Sequence, residues 1–146
     1  MRAIFFMPIK YHPADDLKQI LIDIVQKTGM DHIKLDRVMC VRSTGSKARY
    51  TIARCHTLTR LWQKSLGIKS HYTIEIISEQ FEKLSHEEKI KVFIHELMHI
   101  PFGFRGGFKN HSDHVNRKNI EAVYKQYLAA SGIAVKESLF QKLGIV

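Results

Sequence analysis

The chain has 146 residues, and 23 Lys and Arg against 14 Asp and Glu give it a formal net charge of +9 with its nine histidines neutral. Hydrophobic residues make up 45% and charged residues 25%, the balance of an ordinary globular protein with one core, which excludes collagen, coiled coil and wholesale disorder. The longest apolar run, Ala3 to Met7, is far short of the roughly 20 residues that cross a bilayer and too short for a secretory leader, so a cytoplasmic chain without membrane contact is expected.

No repeat, low-complexity tract or linker divides the sequence, and residues 1–146 are expected to form a single domain. Asp15 to about Lys27 places Leu17, Ile20, Leu21, Ile24 and Val25 at spacings of three and four ahead of Gly29, an amphipathic helix. Arg37 to Arg42 reads as a strand entering a turn at Ser43-Thr44-Gly45-Ser46, and Tyr50 to Cys55 as the strand that returns. Thr57 to Leu66, with Leu58, Leu61, Trp62 and Leu66 at helical spacing, predicts a short helix stopped by Gly67. His71 to Ser78 alternates Tyr72, Ile74 and Ile76 with Thr73 and Glu75, the pattern of a half-buried strand. Ser85-His86-Glu87-Glu88 is a capping box that opens a helix running to about Ile100, where Pro101 stops it. Phe102 to Lys109 is a glycine-containing loop, and a last long helix is expected from about Ser112 to Ala130, burying Ile120, Val123, Tyr124, Tyr127 and Leu128. Leu139, Phe140, Leu143 and Ile145 predict a short docked helix at the C-terminus. The elements together predict an α+β fold with a small, mostly antiparallel sheet. Cys40 and Cys55 lie outside any CxxC pair and read as core residues, a disulfide between them staying open.

The chemistry concentrates in the capped helix, at His95-Glu96-Leu97-Met98-His99. At about 100° per residue the two histidines stand about 40° apart on one face, close enough to take neighbouring corners of a tetrahedral zinc. Ile90, Phe93, Ile94, Leu97 and Ile100 occupy the opposite arc, so the core face and the metal face are separate. Glu96, about 100° round from His95, can reach a water on the metal without ligating it, the geometry of a general base. A catalytic zinc needs a third protein ligand, and His111 and His114, beyond the glycine-containing loop, are the candidates. Spacing leaves the choice between them open, the other serving a substrate carbonyl or an oxyanion. Asp113 reads as an ordinary acid of a first helical turn.

The charge is uneven. Residues 34–70 carry nine bases and one acid, a net +8. Such a segment is most often a solvated face, but bases that share one side can hold phosphate backbones weakly and without sequence preference.

From Arg37 to Tyr127 the sequence resembles the small metallopeptidases of phages and archaea that are related to SprT-like or Spartan-like zincins. The stretches that carry the likeness are Arg42-Ser43-Thr44-Gly45-Ser46, His71-Tyr72-Thr73-Ile74-Glu75-Ile76-Ile77, His95 to Pro101 and Gly106-Gly107-Phe108-Lys109-Asn110-His111. The resemblance implies a compact zincin with an N-terminal helix, a small sheet and an active-site helix beneath it. It also implies zinc held by His95, His99 and His111 with Glu96 as the catalytic carboxylate. The leading expectation is therefore a zinc-dependent endopeptidase acting on a protein or peptide held along Tyr72 to Ile77 or Tyr50 to Cys55. The alternative is a basic nucleic-acid-binding module with a structural or vestigial zinc, and a protease of DNA-bound proteins would unite the two. Three histidines with an open corner argue against a purely structural site, which takes four ligands.

Overall fold

Periodic apolar residues and well-placed caps account for most of the elements. The computed structural model describes residues 8–111, 113–132 and 143–144. The first helix, α1 (Asp15–Thr28), buries Leu17, Leu21, Ile24 and Val25 and ends at Gly29 in the left-handed conformation that glycine adopts without penalty. Strands β1 (Lys10–Pro13), β2 (Val38–Thr44), β3 (Ala53–Thr57) and β4 (Tyr72–Ile77) form one sheet in the order β1-β2-β4-β3. The β2–β4 pair is parallel and the other two pairs are antiparallel, so the fold is α+β with a mixed sheet. Helices α2 (Arg60–Leu66), α3 (Ser78–Phe81), α4 (His86–Met98) and α5 (Arg117–Ala130) complete it. No helix among the described residues is long and apolar enough to cross a membrane.

Register fixes which residues face the helices. Cys40 of β2 and Cys55 of β3 are both paired with Ile74 of β4, one on each side. Two strand spacings, about 9.5 Å, exceed the roughly 7 Å that a disulfide can bridge, and both thiols are free. On this face Val38, Tyr72, Ile74 and Ile76 are buried against Leu21 and Ile24 of α1 and Phe93, Ile94 and Leu97 of α4. The opposite face departs from expectation. Glu75, read as the polar side of a half-buried strand, is 1% exposed. β4 is central, and its carboxylate is enclosed by side chains of the flanking strands, the Ser43 hydroxyl at 2.7 Å, His56 Nε2 at 2.7 Å and Arg54 at 3.4 Å. Although burial opposes ionisation, these partners hold its carboxyl below the usual carboxylate range.

Other boundaries differ from the expected ones for identifiable reasons. The Ser43-Thr44 turn is the end of β2, because β1, which carries no apolar signal, pairs Thr44 with Lys10 and Ser43 with Tyr11. The returning strand starts at Ala53, not Tyr50, and runs to Thr57, where its pairing with β4 ends. The last helix starts at Arg117, not Ser112. Asn116 caps it by accepting the Asn119 amide at 2.9 Å, while the Asn110 side chain accepts the Asp113 amide in a separate turn. Asp113 is therefore not a first-turn acid, and His111 and His114 do not share a helix face. Among the described residues α5 packs chiefly on α1 and α4, and there it buries no residue fully, with Leu128 42% exposed. The C-terminal helix expected around Leu139 and Phe140 lies outside the described residues.

The capping box of α4 is complete. Ser85 Oγ accepts the Glu88 amide at 3.2 Å, and the Glu88 carboxylate accepts the Ser85 amide at 3.0 Å. Ser85→Ala is expected to cost about 1 kcal/mol, read as a lowered urea midpoint with an unchanged slope.

Candidate metal centre

Helix α4 is oriented by its apolar side, where Ile90, Phe93, Ile94 and Leu97 are 0–1% exposed. That leaves His95 on the cleft side, half-buried, and places His99 at the helix C-cap, 8% exposed. Their Nε2 atoms are 3.2 Å apart. The loop after the helix returns to the same point, where the His111 ring centroid lies 4.4 Å from that of His99 and 5.3 Å from that of His95. One nitrogen from each of the three imidazoles lies within 4.8 Å of the others, a group able to hold a metal ion. His114 stands outside that group. It is exposed, and its carbonyl accepts the Asn119 side-chain amide at 3.0 Å.

Backbone contacts bring the loop back. The Lys109 amide donates to the His99 carbonyl at 2.8 Å, and His99 Nδ1 lies 2.7 Å from the Lys109 carbonyl. A carbonyl can only accept, so Nδ1 carries the hydrogen, and the Nε2 lone pair of the neutral ring is left for the cluster. Further back, the Tyr72 hydroxyl accepts the Gly106 amide at 3.0 Å and donates to the Gly107 carbonyl at 3.1 Å. Sequence patterns mark neither Lys109 nor Tyr72 as part of the site. Lys109 acts through its backbone, and Tyr72 has the pattern of any aromatic at the start of a strand.

The electrostatics suit metal binding. Burial, and then the neighbouring His99 and His111, push the His95 imidazole down to about 4. Burial lowers His99 in the same direction. Both rings are therefore neutral near pH 7, as a nitrogen ligand must be. Glu96, 8% exposed, is raised to about 7 by burial, partly offset by the hydrogen bond its carboxylate takes from the Cys55 backbone. Its Oε1 is 4.0 Å from His95 Nε2, beside the cluster. Cys55, whose thiol burial pushes up to about 12, joins the same wall as a neutral group.

The centre opens into a cleft of about 560 Å³ between α4 and the sheet, lined by Ala53, Cys55, Phe108 and the three histidines among others. Since β3 closes the sheet order, no strand among the described residues pairs with its outer edge, whereas β4 is hydrogen-bonded on both sides. Of the two strands expected to hold a substrate, β3 is the one with an edge open among the described residues, although its Cys55 backbone already donates to Glu96.

Residues 9–127 match the model of a family described as "putative phage metallopeptidase". No curated protein and no solved structure gives a significant match.

Proposed function

The chain belongs to the phage metallopeptidase family, and on that premise we propose that it is a zinc-dependent endopeptidase of the HExxH type, a zincin akin to the SprT-like enzymes. The observation that carries the reading is the convergence of His95, His99 and His111 beside a buried carboxylate. Three imidazoles suit zinc and leave its fourth position open. When bound, zinc supplies Lewis acidity to the scissile carbonyl and to the attacking water. Glu96 moves the protons, its carboxylate accepting one from the water and returning it to the leaving amine. The open edge of β3 orients an extended peptide by adding it as a further strand.

A second cavity of about 510 Å³ adjoins His95 and Glu96, walled by Ile52, Leu84, Val92 and Ile120. It fits an apolar side chain next to the scissile bond. Fully burying such a side chain is worth about 1.5–3 kcal/mol, so peptides with Leu or Phe at that position are expected to be cut at least about tenfold faster than those with Asp there. Cleavage should stop with a chelator and return with zinc. A zinc-loaded protein that leaves casein and flexible peptides uncut would overturn the peptidase reading, whereas equal rates on the two peptides would remove only the preference.

A further inference from the structure

The basic segment does not form one face. Arg42 is held by Asp16, with Nη1 and Oδ1 2.6 Å apart, and Arg54 by the buried Glu75. Three of the remaining bases, Arg37, Arg60 and Lys69, converge with Arg105 on an open concavity of about 520 Å³. No carboxylate lines it, and none of the four cations has a carboxylate partner among the described residues. The Ser70 hydroxyl donates to the Phe104 carbonyl, and the Gln63 side chain donates to the carbonyls of Arg105 at 3.0 Å and Leu58 at 2.8 Å, so the walls are fixed to one another. Four like charges around one concavity repel one another, and an anion relieves them.

Its place beside the metal cleft narrows the choice of anion. The Ile77 amide donates to the Ile52 carbonyl at 2.9 Å, and the Leu58 amide to the His71 carbonyl at 2.9 Å. In an antiparallel pair such bonds fall on every second residue, so Ala53, Cys55 and Thr57 turn their backbone groups to the outer edge of β3. The Cys55 amide, taken by Glu96, marks where that edge meets the buried carboxylate. A peptide added along the edge and continuing past Thr57 comes to Arg60, three residues on. The other wall shows the same continuity, since Arg105 stands three residues before Phe108, which lines the cleft. A nucleic-acid backbone has no means of pairing with a strand edge. A carboxylate carried by a peptide on that edge does reach the concavity, where guanidinium groups match it with paired hydrogen bonds.

We propose that the concavity is a remote subsite of the cleft, in which Arg37, Arg60, Lys69 and Arg105 hold Asp or Glu side chains of the peptide substrate. The proposal rests on the peptidase reading and on strand addition to β3. Antiparallel addition, the slightly more stable mode, runs the peptide from Thr57 towards Ala53. At about 3.4 Å per residue, the acidic run then falls about four to six residues N-terminal to the scissile bond.

Labelled flexible peptides that differ only in a run of Glu, Gln or Lys at that place test the subsite. Fluorescence anisotropy on the zinc-loaded Glu96→Gln protein reads their binding without cleavage. Three exposed ion pairs, each worth a factor of about two, should make the Glu peptide bind about tenfold more tightly than the Gln peptide at low salt, and the gain should shrink at high salt. Adding Arg60→Glu and Arg105→Glu, both at exposed positions, should reverse the order, so that the Lys peptide binds more tightly than the Glu peptide. Metal content and urea midpoint serve as checks on the fold, and Lys69→Glu, also at an exposed position, should shrink the gain by itself. With the unmutated chain the Glu run should lower KM and leave kcat unchanged, because contacts remote from the scissile bond act alike on bound substrate and transition state. Equal affinity for the Glu and Gln peptides, a Glu preference that survives these variants, or an equal gain from Glu at the C-terminal end would overturn the proposal. So would an oligothymidylate that displaces the Glu peptide at lower concentration than the unlabelled peptide does. A protein that binds the peptides in the expected order but cuts none loses the peptidase reading and keeps the subsite, whereas one that cuts all three alike loses the subsite alone.

Discussion

Glu96→Gln is expected to lower peptide hydrolysis by about 10²–10⁴-fold, the contribution of a positioned general base, while metal content and unfolding midpoint stay at their wild-type values. The amide fills the same buried space, and its carbonyl oxygen can still accept the Cys55 backbone hydrogen bond that the carboxylate takes. What it loses is the ability to accept a proton. Glu96 is not among the three converging groups, so the site should load normally. Single-turnover hydrolysis of a fluorogenic peptide, with zinc measured on the same sample, separates the two properties. Wild-type turnover in the Gln variant would remove Glu96 from the chemistry, and loss of zinc would make it a ligand instead.

His111→Ala should empty the metal site, whereas His114→Ala should leave it near wild-type occupancy. His111 contributes one of only three nitrogens, and two imidazoles at i and i+4 on a helix hold zinc far more weakly than a set of three. His114, exposed and outside the cluster, has no comparable place. Elemental analysis of dialysed variants reads the result, and His95→Ala and His99→Ala should behave like His111→Ala. Reversed outcomes for the two loop histidines would make His114 the third ligand.

The parts of the molecule that depend on neighbours in the chain are legible in the sequence alone. Helix α1, the capping box at Ser85 and Glu88 and the paired His95 and His99 each follow from side chains three or four residues apart, because a helix turn brings those positions together whatever surrounds it. Strand β4 is legible as a strand but not as a central one. Alternation reports one buried face, and only the place of β4 between β2 and β3, whose Ser43, Arg54 and His56 side chains close round Glu75, buries that residue on the other. The expected start of α5 fails for a related reason. Between Ser112 and Arg117 the single apolar residue is Val115 and no proline intervenes, so side-chain spacing does not mark the boundary, and the contacts of Asn110 and Asn116 decide where the backbone turns helical.

Which residues carry metal chemistry is a local property of the chain, since HExxH needs only a helix and the helix announces itself through its own caps and periodicity. Which later histidine joins them depends on packing, through the Lys109–His99 backbone pair and the Tyr72 hydroxyl that anchor the returning loop. Packing also makes β3 the open edge of the sheet and brings only three of the nine bases in residues 34–70 to a concavity shared with Arg105. One cause underlies all of these. Backbone pairing and the convergence of groups ten or more residues apart depend on how elements pack in three dimensions, and side-chain spacing along the chain carries no record of it.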